Sequence, residues 1–140
     1  MESIREHHLF RLLFSLELPT NDYVIAGSAP MLAHGLPREI SDLDVVARLE
    51  AWTIALRFGD PTDAPLGYAK HIILYGDSLE ILNGWFDYDI NSLIAESEVI
   101  DGVNFTPLVR VLEWKSWLVE NDLDRDKDKQ DISLIRDYLE

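Results

Sequence analysis

Apolar positions recur along this chain at two spacings, and the switches between them mark out the elements. From Ile4 to Leu16, the residues Leu9, Phe10, Leu13, Phe14 and Leu16 repeat at three- and four-residue intervals and predict an amphipathic helix. It stops before the turn cluster Pro19-Thr20-Asn21-Asp22. Tyr23-Val24-Ile25-Ala26 is a continuous apolar run, the mark of a buried strand. Gly27-Ser28 breaks it, and Ala29-Pro30 opens a short helix through His34, with proline in a first turn where its missing N–H costs nothing. Beyond Gly35-Leu36-Pro37, the alternation in Ser41-Asp42-Leu43-Asp44-Val45-Val46 predicts a second strand. Leu43 and Val45 face the core, and Asp42 and Asp44 share the other side.

Leu49 to Phe58 returns to helical spacing through Leu49, Trp52 and Leu56, and the stretch from Gly59 to Gly67 is a loop with breakers at both ends. Lys70 to Tyr75 and Leu79 to Leu82 predict a hairpin around Gly76-Asp77-Ser78, with Glu80 facing away from Leu79 and Ile81. Ile90, Leu93 and Ile94 mark a short helix. Asp101-Gly102 joins Ser97–Ile100 to Val103–Phe105 in a second, small hairpin. Thr106-Pro107 supplies a cap and a first-turn proline to a helix whose one face is Leu108, Val111, Leu112, Lys115 and Leu118. After the polar interruption Asn121-Asp122-Leu123-Asp124, a last helix from about Asp126 to Leu139 buries Ile132, Ile135 and Leu139. The pattern predicts an α/β (α+β) fold: a small mixed sheet flanked by helices and followed by C-terminal helices.

A length of 140 residues fits one domain with one core, spanning 1–140, with the core over about 20–105 and a helical part over about 106–140. No run of apolar residues is long enough for a bilayer, the N-terminus is unlike a signal peptide, and the expected compartment is the cytoplasm. The absence of cysteine removes disulfides, thiol chemistry and thiolate metal sites. The net charge of −14 disfavours an extended nucleic-acid surface. It leaves room for a small nucleotide carried with its metal, and for a basic protein partner. His7 and His8, neighbours on a helix, point about 100° apart and read as solvated surface rather than as joint ligands.

Candidate chemistry concentrates between Tyr23 and Val46. Asp42 and Asp44 lie about 7 Å apart along one strand, by a rise of ~3.3 Å per residue, a spacing that suits one shared divalent cation or a pair of them. Free backbone N–H groups at the Gly27-Ser28 turn suit a phosphate. Arg38, just ahead of the Asp-x-Asp strand, is a further candidate phosphate contact.

Gly-Ser closing a strand, then a helix, then Asp-x-Asp on the next strand, resembles the nucleotidyltransferase superfamily with the DNA polymerase beta-like fold. Thirteen residues between Ser28 and Asp42 are similar to the spacing in its AbiEii-type and lincosamide-type branches. Trp114-Lys115 and Lys127-Asp128-x-x-Asp131-Ile132 resemble a tail of AbiEii-like proteins.

The resemblance implies Mg2+ or Mn2+ held by Asp42, Asp44 and a third carboxylate on a neighbouring strand. Glu80 fits that place best, with Asp77, Asp87 and Asp89 as competitors. It implies an NTP as donor, an acceptor hydroxyl of unknown identity, and phosphate or substrate contacts from Lys115 and Lys127, with Asp131 as an orienting partner. Read without it, Lys115 would carry its ammonium to water, and Lys127 would pair with Asp131 four residues on. Relatives in these branches often carry a larger acceptor-binding region, so a small-molecule acceptor, a protein partner or a homodimer all stay open. Two other readings also stand: a nucleotidyltransferase-like antitoxin or regulatory partner with little or no catalysis, and a structural protein with a solvated Asp-x-Asp.

Overall fold

The strand-forming runs pair into one mixed sheet in the computed structural model of the chain, which describes residues 3–65, 69–122 and 125–140. Its strands are β1 (Tyr23–Ala26), β2 (Leu43–Ala47), β3 (Thr62–Asp63), β4 (Lys70–Leu74), β5 (Leu79–Leu82), β6 (Glu98–Ile100) and β7 (Val103–Phe105). Their order across the sheet is β3-β4-β5-β2-β1-β7-β6. The central pair β1–β2 is antiparallel, while β2–β5 and β1–β7 are parallel. Six helices flank the sheet among the described residues: α1 (His8–Phe14), α2 (Ala29–Ala33), α3 (Leu49–Ala55), α4 (Ile90–Ala95), α5 (Leu108–Asn121) and α6 (Asp126–Leu139). The α+β fold class is the one the apolar pattern predicts.

The central strands are buried on both faces, so each sends alternate side chains to two different cores. Tyr23, Ile25, Leu43, Val45, Leu79 and Ile81 face the side packed by α1 and α3. Val24, Ala26 and Val46 face the side packed by α2, α4, α5 and α6. Period-two alternation therefore turns Asp44 and Glu80 toward the α5–α6 side. Because β2 and β5 run parallel with Asp44 opposite Glu80, the two carboxyls lie side by side.

Several boundaries differ from the sequence expectation. The first helix divides into a 3-10 turn, Ile4–Glu6, and α1. His7 caps α1 through Nδ1, which accepts from the Leu9 N–H at 3.2 Å. It is half-buried and stacks on His8 with ring centroids 4.8 Å apart, so His7 is not the solvated residue its neighbourhood suggested. In α3 the buried residues are Ala51 and Ala55, whereas Leu49 and Leu56 are exposed. A helix lying close against a sheet accepts small residues at the contact, and periodicity in large apolar residues pointed to the wrong face. Pro107, not Thr106, is the N-cap of α5; Thr106 bonds back to Ile25 O through its N–H at 3.1 Å. Leu139 is exposed at the end of α6, while Ile132 and Ile135 are buried. The loop over 59–67 contains β3; its residues 66 and 67, and residues 123 and 124 of the polar interruption, lie outside the described residues.

Candidate active site

β1 ends at Ala26, opposite Asp44, and the chain must then turn sharply toward α2. Gly27 makes that turn with a φ of +68°, a region that glycine enters without strain. It also leaves space for its neighbour: a Cβ at this position would lie 2.1 Å from Asp44 Oδ2. Gly27 therefore admits the carboxylate as well as the turn. Ser28 follows at the edge of the same cleft.

Asp42 lies one residue ahead of β2 rather than inside it, and it keeps solvent contact. Partial desolvation and the negative charge of Glu80 push its carboxyl up, with Lys127 and Arg38 opposing. Asp44 is pushed well above the ordinary carboxylate range, first by burial, then by the charge of Asp42 and by the hydrogen bond and charge of Glu80; Lys115 opposes. Asp44 and Glu80 thus face one another on adjacent strands, acid beside acid. Glu80 also meets His71 Nδ1 on β4, giving a continuous line from Asp44 through Glu80 to His71. No local signal marks His71, because its partner lies nine residues away across a hairpin.

Opposite these carboxyls, α5 and α6 contribute a paired cluster. Lys115 is 4% exposed, and its Nζ donates to Ser28 Oγ at 2.9 Å and to Asp128 Oδ1 at 2.9 Å. It also lies 3.0 Å from Asp131 Oδ2. Arg38 grips Asp131 with two bonds, Nε to Oδ1 at 2.7 Å and Nη2 to Oδ2 at 3.2 Å, and reaches Ser28 Oγ at 3.3 Å. Arg125 closes the group on Asp128 Oδ2 at 2.6 Å. Burial works against the Asp131 carboxylate, but the hydrogen bond from Arg38 and the charge of Lys115 outweigh it and hold its pKa down.

Lys115 thus points into the cleft, as the tail resemblance implied, and does not carry its ammonium to water. Asp131 pairs with Arg38 and Lys115, not with Lys127 along the helix. Lys127 is exposed on α6 and reaches the site through its effect on Asp42.

Between the two clusters lies a cavity of about 410 Å³, bounded by Gly27, Ser28, Asp44, Glu80 and Lys115 on its polar side. Its other side is aromatic, formed by Trp85, Phe86 and Trp114. The volume falls in the ~300–1,000 Å³ range of small-molecule sites. Among the described residues, no three carboxylate or imidazole side chains are drawn together into one metal-ligating group. The oxygen donors of Asp42, Asp44 and Glu80 nevertheless suit a hard divalent cation. The upward displacement of Asp44, caused first by burial and then by its acidic neighbours, is one that such a cation would oppose.

No family model matches the chain, and no curated protein matches it. The chain is similar in structure to the crystal structure of JHP933 from Helicobacter pylori, with a TM-score of 0.51 and 17% sequence identity. The likeness covers 89% of this chain and 61% of JHP933, so the chain spans less than two thirds of that protein's length. At that identity the likeness is one of fold. Among the described residues, no helix is long and apolar enough to cross a membrane.

Proposed function

We propose that this chain is a metal-dependent nucleotidyltransferase that moves an NMP group from an NTP to a hydroxyl of a small molecule, protein or RNA end, in the cytoplasm. The observation that carries the reading is the meeting of Asp44 and Glu80 on paired strands beside the Gly27-Ser28 turn and Lys115. Asp42, Asp44 and Glu80 would hold Mg2+ or Mn2+. The cation would supply positive charge at the reacting phosphate and offset that of the departing pyrophosphate.

The chain's own residues account for the rest. Gly27-Ser28 and Lys115 would bind the phosphates, with Arg38 and Lys127 adding charge at the rim. An acceptor hydroxyl would attack the α-phosphorus, forming the new P–O bond as the bond to the bridging oxygen breaks and pyrophosphate departs. Glu80, which lies opposite Asp44 and meets His71, would take the hydroxyl proton.

A second reading has a specific observation behind it. Lys115 and Arg38 are already paired with Asp128 and Asp131, and the chain carries a net charge of −14. An acidic protein whose site cations are internally neutralised suits a regulatory partner of a basic protein, with little or no catalysis.

Titration calorimetry of the four NTPs with Mg2+ separates the two. The enzyme reading expects binding that needs Mg2+ and is lost in Asp42→Asn/Asp44→Asn. Transfer activity should fall at least about 100-fold in Asp44→Asn. Near wild-type turnover by that variant would sink the metal-centred mechanism. Absence of heat with every NTP, together with co-purification of a basic protein, would favour the partner reading.

A further inference from the structure

The aromatic side of the cavity carries information that the carboxylates do not. Trp85 and Phe86 follow β5 in a loop pinned by a backbone bridge between Trp85 and Tyr88. Both rings are half-buried and border the cavity. Trp85 meets Trp114 edge-to-face at 5.4 Å and Phe86 at 5.3 Å. Such pairs stabilise by about 0.5–1.5 kcal/mol beyond their buried area, so the rings hold one another in place. The indole Nε1 of Trp85 is buried with no hydrogen-bond partner among the described residues, so ring contacts, and not a hydrogen bond, hold that side chain.

Trp114 and Lys115 are consecutive on α5 and both border the cavity, one on its aromatic side and one on its polar side. A ligand with a flat apolar part joined to an anionic part would meet both from one position. Ala64, Pro65, Ala69 and Leu118 complete the apolar lining.

We infer that Trp85, with Phe86 beside it and the buried Trp114 backing both rings, forms a stacking site for a purine or pyrimidine ring whose attached phosphates extend toward Ser28 and Lys115. This rests on the nucleotidyl-transfer reading and specifies where the base of the donor is held. Stacking accepts any base, because every base presents a π-face. The four nucleosides therefore bind within roughly ten-fold of one another, and the ring, not its edge, is what the site selects.

A neutral nucleoside isolates this contribution, since it brings no phosphate toward Asp44 and Glu80 and needs no metal. Three of the four tryptophans, Trp85, Trp114 and Trp117, belong to one ring cluster, so most of the intrinsic fluorescence reports on it. Adenosine and cytidine at millimolar concentration are expected to quench the full-length protein saturably, and ribose is expected to leave it unchanged. Trp85→Leu should weaken adenosine binding about ten-fold or more, by the size of base–aromatic stacking. Leu118→Trp, which fills the cavity from α5 without removing a ring, should weaken it as well. That variant decides the matter should Trp85→Leu melt far below wild type.

Absence of saturable quenching, or equal affinity in both folded variants, would overturn the stacking site. Tripolyphosphate with Mg2+, titrated in parallel, separates this failure from failure of the wider reading. If tripolyphosphate binds through Asp44 and adenosine does not, the stacking site falls and the transferase reading stands. If adenosine binds and tripolyphosphate does not, the stacking site stands and the transferase reading falls.

Discussion

Asp44 and Asp131 are both enclosed carboxylates acting on the same lysine, Lys115, yet their surroundings drive them in opposite directions. Around Asp44 the charged neighbours closest in effect are Asp42 and Glu80, so burial and repulsion add and its pKa rises. Around Asp131, Arg38 and Lys115 donate directly to the carboxylate, and its pKa falls despite burial. The difference separates a carboxylate neutralised within the fold from one that, on the proposed function, would meet a cation. Acidic neighbours beside an enclosed carboxylate destabilise its charged form, whereas paired cations favour it.

The largest effect on this contrast is expected from Lys115→Met. It removes the ammonium from two enclosed carboxylates at once, and breaking a buried pair this way costs about 3–5 kcal/mol. A thermal or urea melt measures it. A variant as stable as wild type would mean that Arg38 and Arg125 alone satisfy Asp131 and Asp128, and the paired character of the α6 cluster would not depend on α5.

Gly27→Ala should come next. A non-glycine residue at this φ costs about 1–3 kcal/mol, and the new methyl collides with Asp44 Oδ2. The melt should fall by that amount, and binding of the Mg2+–NTP pair should weaken further, because Asp44 must move. Ser28→Ala, which leaves the turn intact, should lose binding with little loss of stability.

The smallest effect sharpens the comparison most, since it lies in the pH dependence. Asp131 has a lowered pKa in the folded chain, so its stabilising contribution is present above the ordinary carboxylate value of about 3.9 and is lost as pH falls through the lowered value. Asp44 has a raised pKa, so the folded chain holds its proton more tightly than the unfolded one. Stability then declines as pH climbs from the ordinary value through the raised one. Asp44→Asn should therefore melt above wild type at neutral pH, with the gain vanishing toward acid. Asp131→Asn should melt lower at neutral pH and converge on wild type in acid. Equal behaviour of the two asparagine variants would erase the distinction.

Much of this site is legible in the amino-acid sequence. Alternation around Leu43 and Val45 puts Asp42 and Asp44 on one side, and Glu80 between Leu79 and Ile81 is turned away from the core by the same rule. Lys115 stands out as a charge on an apolar helical face. Each of these signals is local, carried by residues within one turn or one strand, where covalent geometry fixes which way a side chain points.

Pairing across the sheet and between helices is not legible in the same way. That Asp44 lies opposite Glu80 depends on β5 joining β2 in parallel, a register no stretch of either strand encodes alone. Helical spacing offers Asp131 a partner in Lys127, four residues away, whereas its actual partner Arg38 lies 93 residues away in sequence. Trp85 and Trp114 cannot be joined into one aromatic wall without the packing of α5 against the loop after β5. The sequence by itself determined the elements, most of the exposed and buried sides, and the chemistry available on them. Only the tertiary structure decided which charges neutralise one another and which lie beside like charges. That outcome depends on distances of a few ångströms between residues far apart in the chain.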